Sequence, residues 1–110
     1  MDFNEYQGEA VKTAIYHKKK IPPIVYCGLK LAGEAGEVSE KIGKLYRDAD
    51  GELTHEFEVD LAKELGDVLW YLANLSELIG MELEWVAEMN IKKLKSRAER
   101  GVIKGSGDNR

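Results

Sequence analysis

Cysteine, histidine and proline are scarce in this 110-residue chain, with one of the first and two each of the others. The lone Cys27 excludes an intramolecular disulfide and any cysteine zinc cluster, and the lack of a disulfide framework fits a reducing compartment. His17 and His55 lie apart from the acidic motifs and lack metal-ligand spacing, which makes them surface or helix-end residues. Proline occurs only as Pro22-Pro23, a helix stop. No apolar run approaches the roughly 20 residues that cross a bilayer, and the N-terminus lacks the basic-then-apolar order of a secretory signal. The expectation is a cytoplasmic protein with no membrane partner. No glycine-rich Walker sequence precedes Lys-Ser or Lys-Thr, so a P-loop is excluded. Asp48-Ala49-Asp50-Gly51 is a turn rather than a calcium loop, because its glycine comes too early and position twelve would be Val59.

The formal charge is -4, with basic residues scattered among acidic ones. That balance argues against a nucleic-acid partner, and a small anionic substrate would need a local cation. The length fits one domain, small enough that burial in an oligomer would add to its stability.

What the chain has in abundance is helical periodicity. Asp2 and Glu5 have capping-box spacing, and Phe3, Tyr6, Ala10 and Ala14 share a face, predicting a first helix that reaches the basic stretch at 17–20. A second helix is predicted from about Ile24 to Asp48, a third from about Glu58 to Ile79 and a fourth from about Glu82 to Arg100. In the third, Leu61, Leu65, Val68, Leu72, Leu75 and Ile79 form a core stripe. No segment alternates long enough to make a sheet. The fold class is therefore all-α, a four-helix antiparallel bundle-type domain over residues 1–101, followed by a glycine-rich tail, 102–110, whose default state is mobile.

The chemistry lies in an internal echo. Leu31-Ala32-Gly33-Glu34-Ala35-Gly36-Glu37-Val38 returns as Leu61-Ala62-Lys63-Glu64-Leu65-Gly66-Asp67-Val68. Acids three apart share a helix face, and each pair sits one residue ahead of the apolar stripe of its helix. Antiparallel packing of the two helices would bring four carboxylates together across one seam. A single Glu-x-x-Glu in so charged a chain is ordinarily a solvated face, whereas two copies in the same phase are harder to explain that way. Clustered carboxylates repel, and a hard divalent cation resolves the conflict. Carboxylate-only ligation suits Mg2+, with Mn2+ a possible substitute. Gly36 and Gly66 cost helix propensity, for which close backbone approach would compensate.

Lys41 and Lys44 continue the line of the first acid pair, and Tyr71 and Asn74 that of the second. Tyr71 and Trp70 are equally readable as core-filling aromatics. On the fourth helix Asn90, Lys93 and Arg97 form a polar stripe, either phosphate-binding or merely snorkelling over the core edge. A di-iron or di-manganese carboxylate bundle has similar architecture but requires Glu-x-x-His motifs absent here. A purely structural oligomer would be stabilised by removing the acids.

The run from Leu31 to Val38, the Glu64-Leu65-Gly66-Asp67 motif with Val68-Leu69-Trp70-Tyr71 after it, and Asn90-x-x-Lys93-x-x-x-Arg97 resemble the MazG-like nucleotide pyrophosphohydrolases, members of the all-α NTP pyrophosphatase superfamily. The tail Gly105-Ser106-Gly107-Asp108-Asn109-Arg110 is similar to the ending of a small single-domain branch. The resemblance implies an oligomer, a homodimer or homotetramer, that hydrolyses nucleoside triphosphates to monophosphate and pyrophosphate. It implies Mg2+ ligation by Glu34, Glu37, Glu64 and Asp67, substrate contacts from Asn90, Lys93 and Arg97, and a tail that closes over the triphosphate, bringing in Arg110. Among the acids, Glu37 is favoured over Glu34 and Glu64 to activate the attacking water. The superfamily also holds dUTPases, dCTP pyrophosphatases and phosphoribosyl-ATP pyrophosphohydrolases, and the acids do not choose a base. A nucleotide-binding module without turnover is the alternative of another class.

Overall fold

The computed structural model describes residues 1–110, and four helices account for most of them: α1 (Phe3–Lys12), α2 (Pro23–Ala49), α3 (His55–Leu78) and α4 (Leu83–Glu99). A short 3-10 turn, Tyr16–Lys18, lies between α1 and α2. There are no strands, so the all-α expectation holds.

Local chemistry explains most of the boundaries. Asp2 accepts from the Glu5 amide at 2.8 Å while its own amide donates to Glu5 Oε2 at 3.1 Å, which satisfies two amides that have no partner within α1. Pro23 opens α2, where its missing N–H costs nothing. The end of α2 needs left-handed backbone at Asp50 (φ 53°) and Gly51 (φ 78°), with the Gly51 amide returning to the Leu45 carbonyl. A Cβ at Gly51 would lie 2.7 Å from Tyr46 Cε1, so this corner requires glycine twice over. Thr54 caps α3 by accepting from the Phe57 amide at 3.1 Å, which starts the helix three residues before the periodicity alone indicates.

The first helix is shorter than its sequence pattern predicts. It ends at Lys12, where Thr13 Oγ1 turns back to the Ala10 carbonyl at 3.1 Å. The chain then bends so that Tyr16 is buried and donates its hydroxyl to Asn74 Oδ1 at 2.8 Å. Burying a tyrosine on a satisfied partner outweighs one more turn of exposed helix.

α2 and α3 are joined by a short turn and pack antiparallel along their length, forming the structural spine. α1 lies on α3, and α4 touches α1 and α3 but not α2. The start of α4 has no cap of its own and is held by side chains of α1. Buried Gln7 accepts from the Leu83 amide at 2.8 Å and donates to the Met81 carbonyl at 2.9 Å, while Asn4 Oδ1 accepts from the Glu84 amide at 3.2 Å.

The interior is small. Ala10, Ala73 and Leu83 are its buried centre, flanked by Tyr6, Leu69 and Trp70, and only 10 of 110 residues are buried in all. The stripe expected to be core on α3 is substantially bare: Leu65 is 51% exposed, Leu72 41% and Ile79 55%. On α4, Ile91 and Leu94 are likewise exposed. The radius of gyration, 16.8 Å, exceeds the roughly 13 Å of a compact chain of this length. No helix is long and apolar enough to cross a membrane.

Candidate active site

The spine converts the duplicated motif into a cluster. Carboxylate oxygens of Glu34, Glu37 and Glu64, one from each, lie within 4.8 Å of one another. Asp67, the fourth acid, stands beside this group and lines a cleft together with Glu34. Its charge acts on Glu64 and contributes to holding the Tyr6 hydroxyl above its usual range, after burial. The donor set contains no His or Cys, so it fits a hard cation and disfavours zinc, copper or iron–sulfur chemistry.

The electrostatics describe a site short of positive charge. The Glu64 carboxyl is raised above the ordinary range by burial first, then by its hydrogen bond with Glu37 and the negative charges of Glu37 and Asp67. Lys41 opposes the shift from 3.8 Å away. One half-exposed ammonium does not neutralise the group, and a divalent cation would. Lys44 does not supplement it directly, being paired with Glu40 at 2.8 Å.

Two recesses open on either side of the acids. One, about 380 Å³, is lined by Thr13, Ile15, Tyr16, Tyr26, Trp70 and Tyr71 with Glu34 and Asp67 at its edge. Trp70 Nε1 donates to Thr13 Oγ1 at 2.9 Å, and the Trp70 ring meets Tyr71 edge-on at 4.8 Å and Tyr16 edge-on at 6.4 Å, so the wall is held by aromatic contacts and a hydrogen bond. Burial, with Tyr26 and Glu34 nearby, pushes the Tyr71 hydroxyl up to about 12, so it stays a neutral donor. The other recess, about 230 Å³, is wholly polar: Glu37, Glu40, Lys41, Lys44 and Glu64. A larger open groove of about 710 Å³, between Phe3 and the Glu84–Glu99 side of α4, lies away from the acid cluster.

The expected site residues divide into groups. Glu34, Glu37, Glu64, Asp67, Lys41, Lys44 and Tyr71 gather around the acids. Asn74 does not: it is fully buried, accepting from Tyr16 and donating to the Trp70 carbonyl at 3.0 Å, so its amide is spent on holding the aromatic wall. Asn90, Lys93 and Arg97 are on α4, which makes no contact with α2. Lys93 and Arg97 instead meet Asp108 of the tail, and Arg110 binds tail carbonyls. The tail, read as mobile, is folded back on α4. Gly36 and Gly66 also differ from expectation, since a Cβ at either would meet nothing within 4 Å beyond its own helix backbone and chain neighbours. Glu34 and Glu64 are themselves half-buried between the two helices of the spine, Ala35 and Leu65 beside them are exposed, and these glycines face open space.

Thr13, Ile15, Tyr16 and Tyr26 were not legible as site residues. Thr13, Ile15 and Tyr16 come from the α1–α2 connection, whose path no periodicity describes, and Tyr26 from the first turn of α2. The only available signal was the pair of tyrosines bracketing Pro22-Pro23.

No solved structure matches the chain. It is 46% identical to the "Gene 37 protein" of Mycobacterium phage L5 in an alignment that covers all of both chains. The MazG nucleotide pyrophosphohydrolase domain matches residues 27–102, a span that contains both acid pairs, all of the spine but the first turn of α2, and all of α4. An echoed acid motif closed into one carboxylate cluster, within a domain match over most of the chain, places this protein in the MazG nucleotide pyrophosphohydrolase family.

Proposed function

We propose that the protein is a Mg2+-dependent nucleoside triphosphate pyrophosphohydrolase that converts (d)NTP and water to (d)NMP and pyrophosphate in nucleotide-pool housekeeping. The observation that carries this reading is the position of the acid cluster between an aromatic cleft and a lysine-bearing notch. A nucleotide is built the same way, with a flat apolar base at one end and a polyphosphate at the other.

Glu34, Glu37, Glu64 and Asp67 would hold the cation, with Mn2+ a substitute for Mg2+. When bound, it supplies charge neutralisation at the phosphate oxygens and activation of water. Tyr26, Trp70 and Tyr71 give the base an aromatic wall, and the neutral Tyr71 hydroxyl serves as a hydrogen-bond donor at its edge. Lys41 and Lys44 place positive charge beside the phosphates. The water oxygen bonds to the α-phosphorus, the bond from that phosphorus to the α–β bridging oxygen breaks, and pyrophosphate leaves with the electron pair. Glu37, on the polar side next to Glu64, takes the water's proton.

The same reading requires a second copy of the chain. A folded 12.4 kDa monomer ordinarily exposes about 6,100 Å², whereas this chain exposes 8067 Å², an excess of about 1,900 Å². Covering that excess on two chains gives an interface of obligate size. It would shelter the Leu65, Leu72 and Ile79 line, and it offers Asn90, Lys93 and Arg97 of one chain a route to the acid cluster of the other, since α4 makes no contact with its own α2.

The test is a panel of ribo-, deoxy- and damaged nucleoside triphosphates incubated with enzyme and Mg2+, scored for monophosphate and pyrophosphate. Glu64→Gln should lower turnover by at least about 100-fold with the helices intact. Normal magnesium-dependent hydrolysis by that variant would sink the assignment. Magnesium-dependent binding without pyrophosphate release in the wild type would make the protein a nucleotide-binding module instead.

A further inference from the structure

The tail is a constructed loop. Beyond Gly101 (φ 70°) the chain reverses along α4, and Arg110 gathers the carbonyls of Val102 at 3.0 Å, Ile103 at 2.9 Å and Gly107 at 2.6 Å. Gly105 (φ 148°) lies against the same side chain, where a Cβ would stand 3.0 Å from Arg110 Cδ. The result of this folding is the position of Asp108. Its Oδ1 accepts from Lys93 Nζ at 3.1 Å and from Arg97 Nη2 at 3.3 Å, and its main-chain oxygen accepts from Arg97 Nη2 at 2.9 Å. One anionic oxygen thus sits between the two cations that the sequence motif assigns to phosphate.

The arrangement is incomplete in an informative way. Arg97 has a side chain only 6% exposed, and its Nε is buried without any hydrogen-bond partner. A buried guanidinium with an unused donor is costly, and a planar carboxylate that gives one oxygen to both cations does not reach that donor. A phosphoryl group offers three oxygens and more charge. Asp108, by contrast, is 83% exposed, and an ion pair with so exposed a partner is held weakly. The occupant in place is the weaker one.

We infer that the tail is an internal competitor for the substrate: Asp108 keeps the Lys93–Arg97 pair until a phosphate or pyrophosphate group displaces it, and displacement frees residues 105–110. This rests on the reading that Lys93 and Arg97 contact phosphate. It adds a regulated element, since the buried arginine is never left with an empty site and the tail changes state only when polyphosphate arrives.

The test uses inorganic pyrophosphate, titrated by calorimetry into the full chain in EDTA so that the acid cluster contributes no metal-bound affinity. Asp108→Asn, isosteric and uncharged, should bind pyrophosphate about fivefold more tightly than wild type, the equivalent of an exposed ion pair of about 1 kcal/mol. Lys93→Gln should weaken binding in both backgrounds. Trypsin provides a second readout: release of residues 105–110 after Lys104, followed by mass spectrometry, should accelerate with pyrophosphate in wild type and be fast without it in Asp108→Asn. Unchanged or weaker pyrophosphate binding by Asp108→Asn, with the dependence on Lys93 intact, overturns the competitor while leaving the phosphate contacts standing. If Lys93→Gln has no effect in either background, the phosphate contacts themselves are wrong and the competitor falls with them.

Discussion

Leu72 offers a direct test of the proposed pairing of two chains. It lies on α3 between Leu65 and Ile79, each seven residues away, and is 41% exposed. Burying a leucine fully is worth about 1.5–3 kcal/mol, so the uncovered part of Leu72 represents about 1 kcal/mol. In a two-fold pair the residue counts twice, and Leu72→Ala should weaken dimerisation by about 2 kcal/mol, roughly 30-fold in Kd. Sedimentation velocity over a dilution series reads this as a shift of the monomer–dimer midpoint. Leu72→Lys should go further and give monomer throughout, because it places an unpaired ammonium in the interface. The melting temperature of the wild type should rise with protein concentration, as it must when folding and association are linked. The reasoning fails if the wild type sediments as a 12.4 kDa species at all concentrations, or if Leu72→Ala dissociates at the same concentration as wild type.

Other expectations follow from individual contacts. Tyr16→Phe removes the 2.8 Å donor to buried Asn74 Oδ1 and should cost about 1–3 kcal/mol, lowering Tm by several degrees in a thermal melt. Gln7→Ala leaves the Leu83 amide and the Met81 carbonyl without their side-chain partners, so amide exchange at the start of α4 should accelerate before the rest of the chain is affected. In metal-free protein the Glu64 carboxyl titrates above its usual 4.5, so the native state holds more protons than the unfolded one. Its contribution to stability is therefore present below about pH 4.5 and lost as pH rises through the raised value. Denaturant melts in EDTA should show wild type losing stability relative to Glu64→Gln across that window, and a constant difference would contradict the clustering.

The acid cluster was legible in the sequence because its determinants are local. A three-residue spacing on a helix fixes a shared face, and its echo on two consecutive helices joined by a short turn brings those faces together, although Leu65 and Leu72 of the stripe expected to pack beside the acids are exposed. Helix identity was legible for the same reason, including the turn at Asp50-Gly51. The extent of α1 was not, because the stop at Lys12 is decided by Tyr16 reaching Asn74, 58 residues away in sequence. Periodicity assigned Asn74 to the face of the acids, but a side chain at the edge of a face can turn inward when a buried partner waits there.

Sequence alone determined that the chain is helical, that two helices carry matched acid pairs and that those acids suit a hard cation, since each follows from residue type and helical repeat. Tertiary structure decided what surrounds them. It placed Tyr16 from an irregular connection beside Glu34 and Asp67, seated Asp108 on Lys93 and Arg97, and left Leu65, Leu72 and Ile79 bare. The physical reason is that an amphipathic repeat marks which face must be covered, while the identity of the cover depends on contacts between segments distant in sequence.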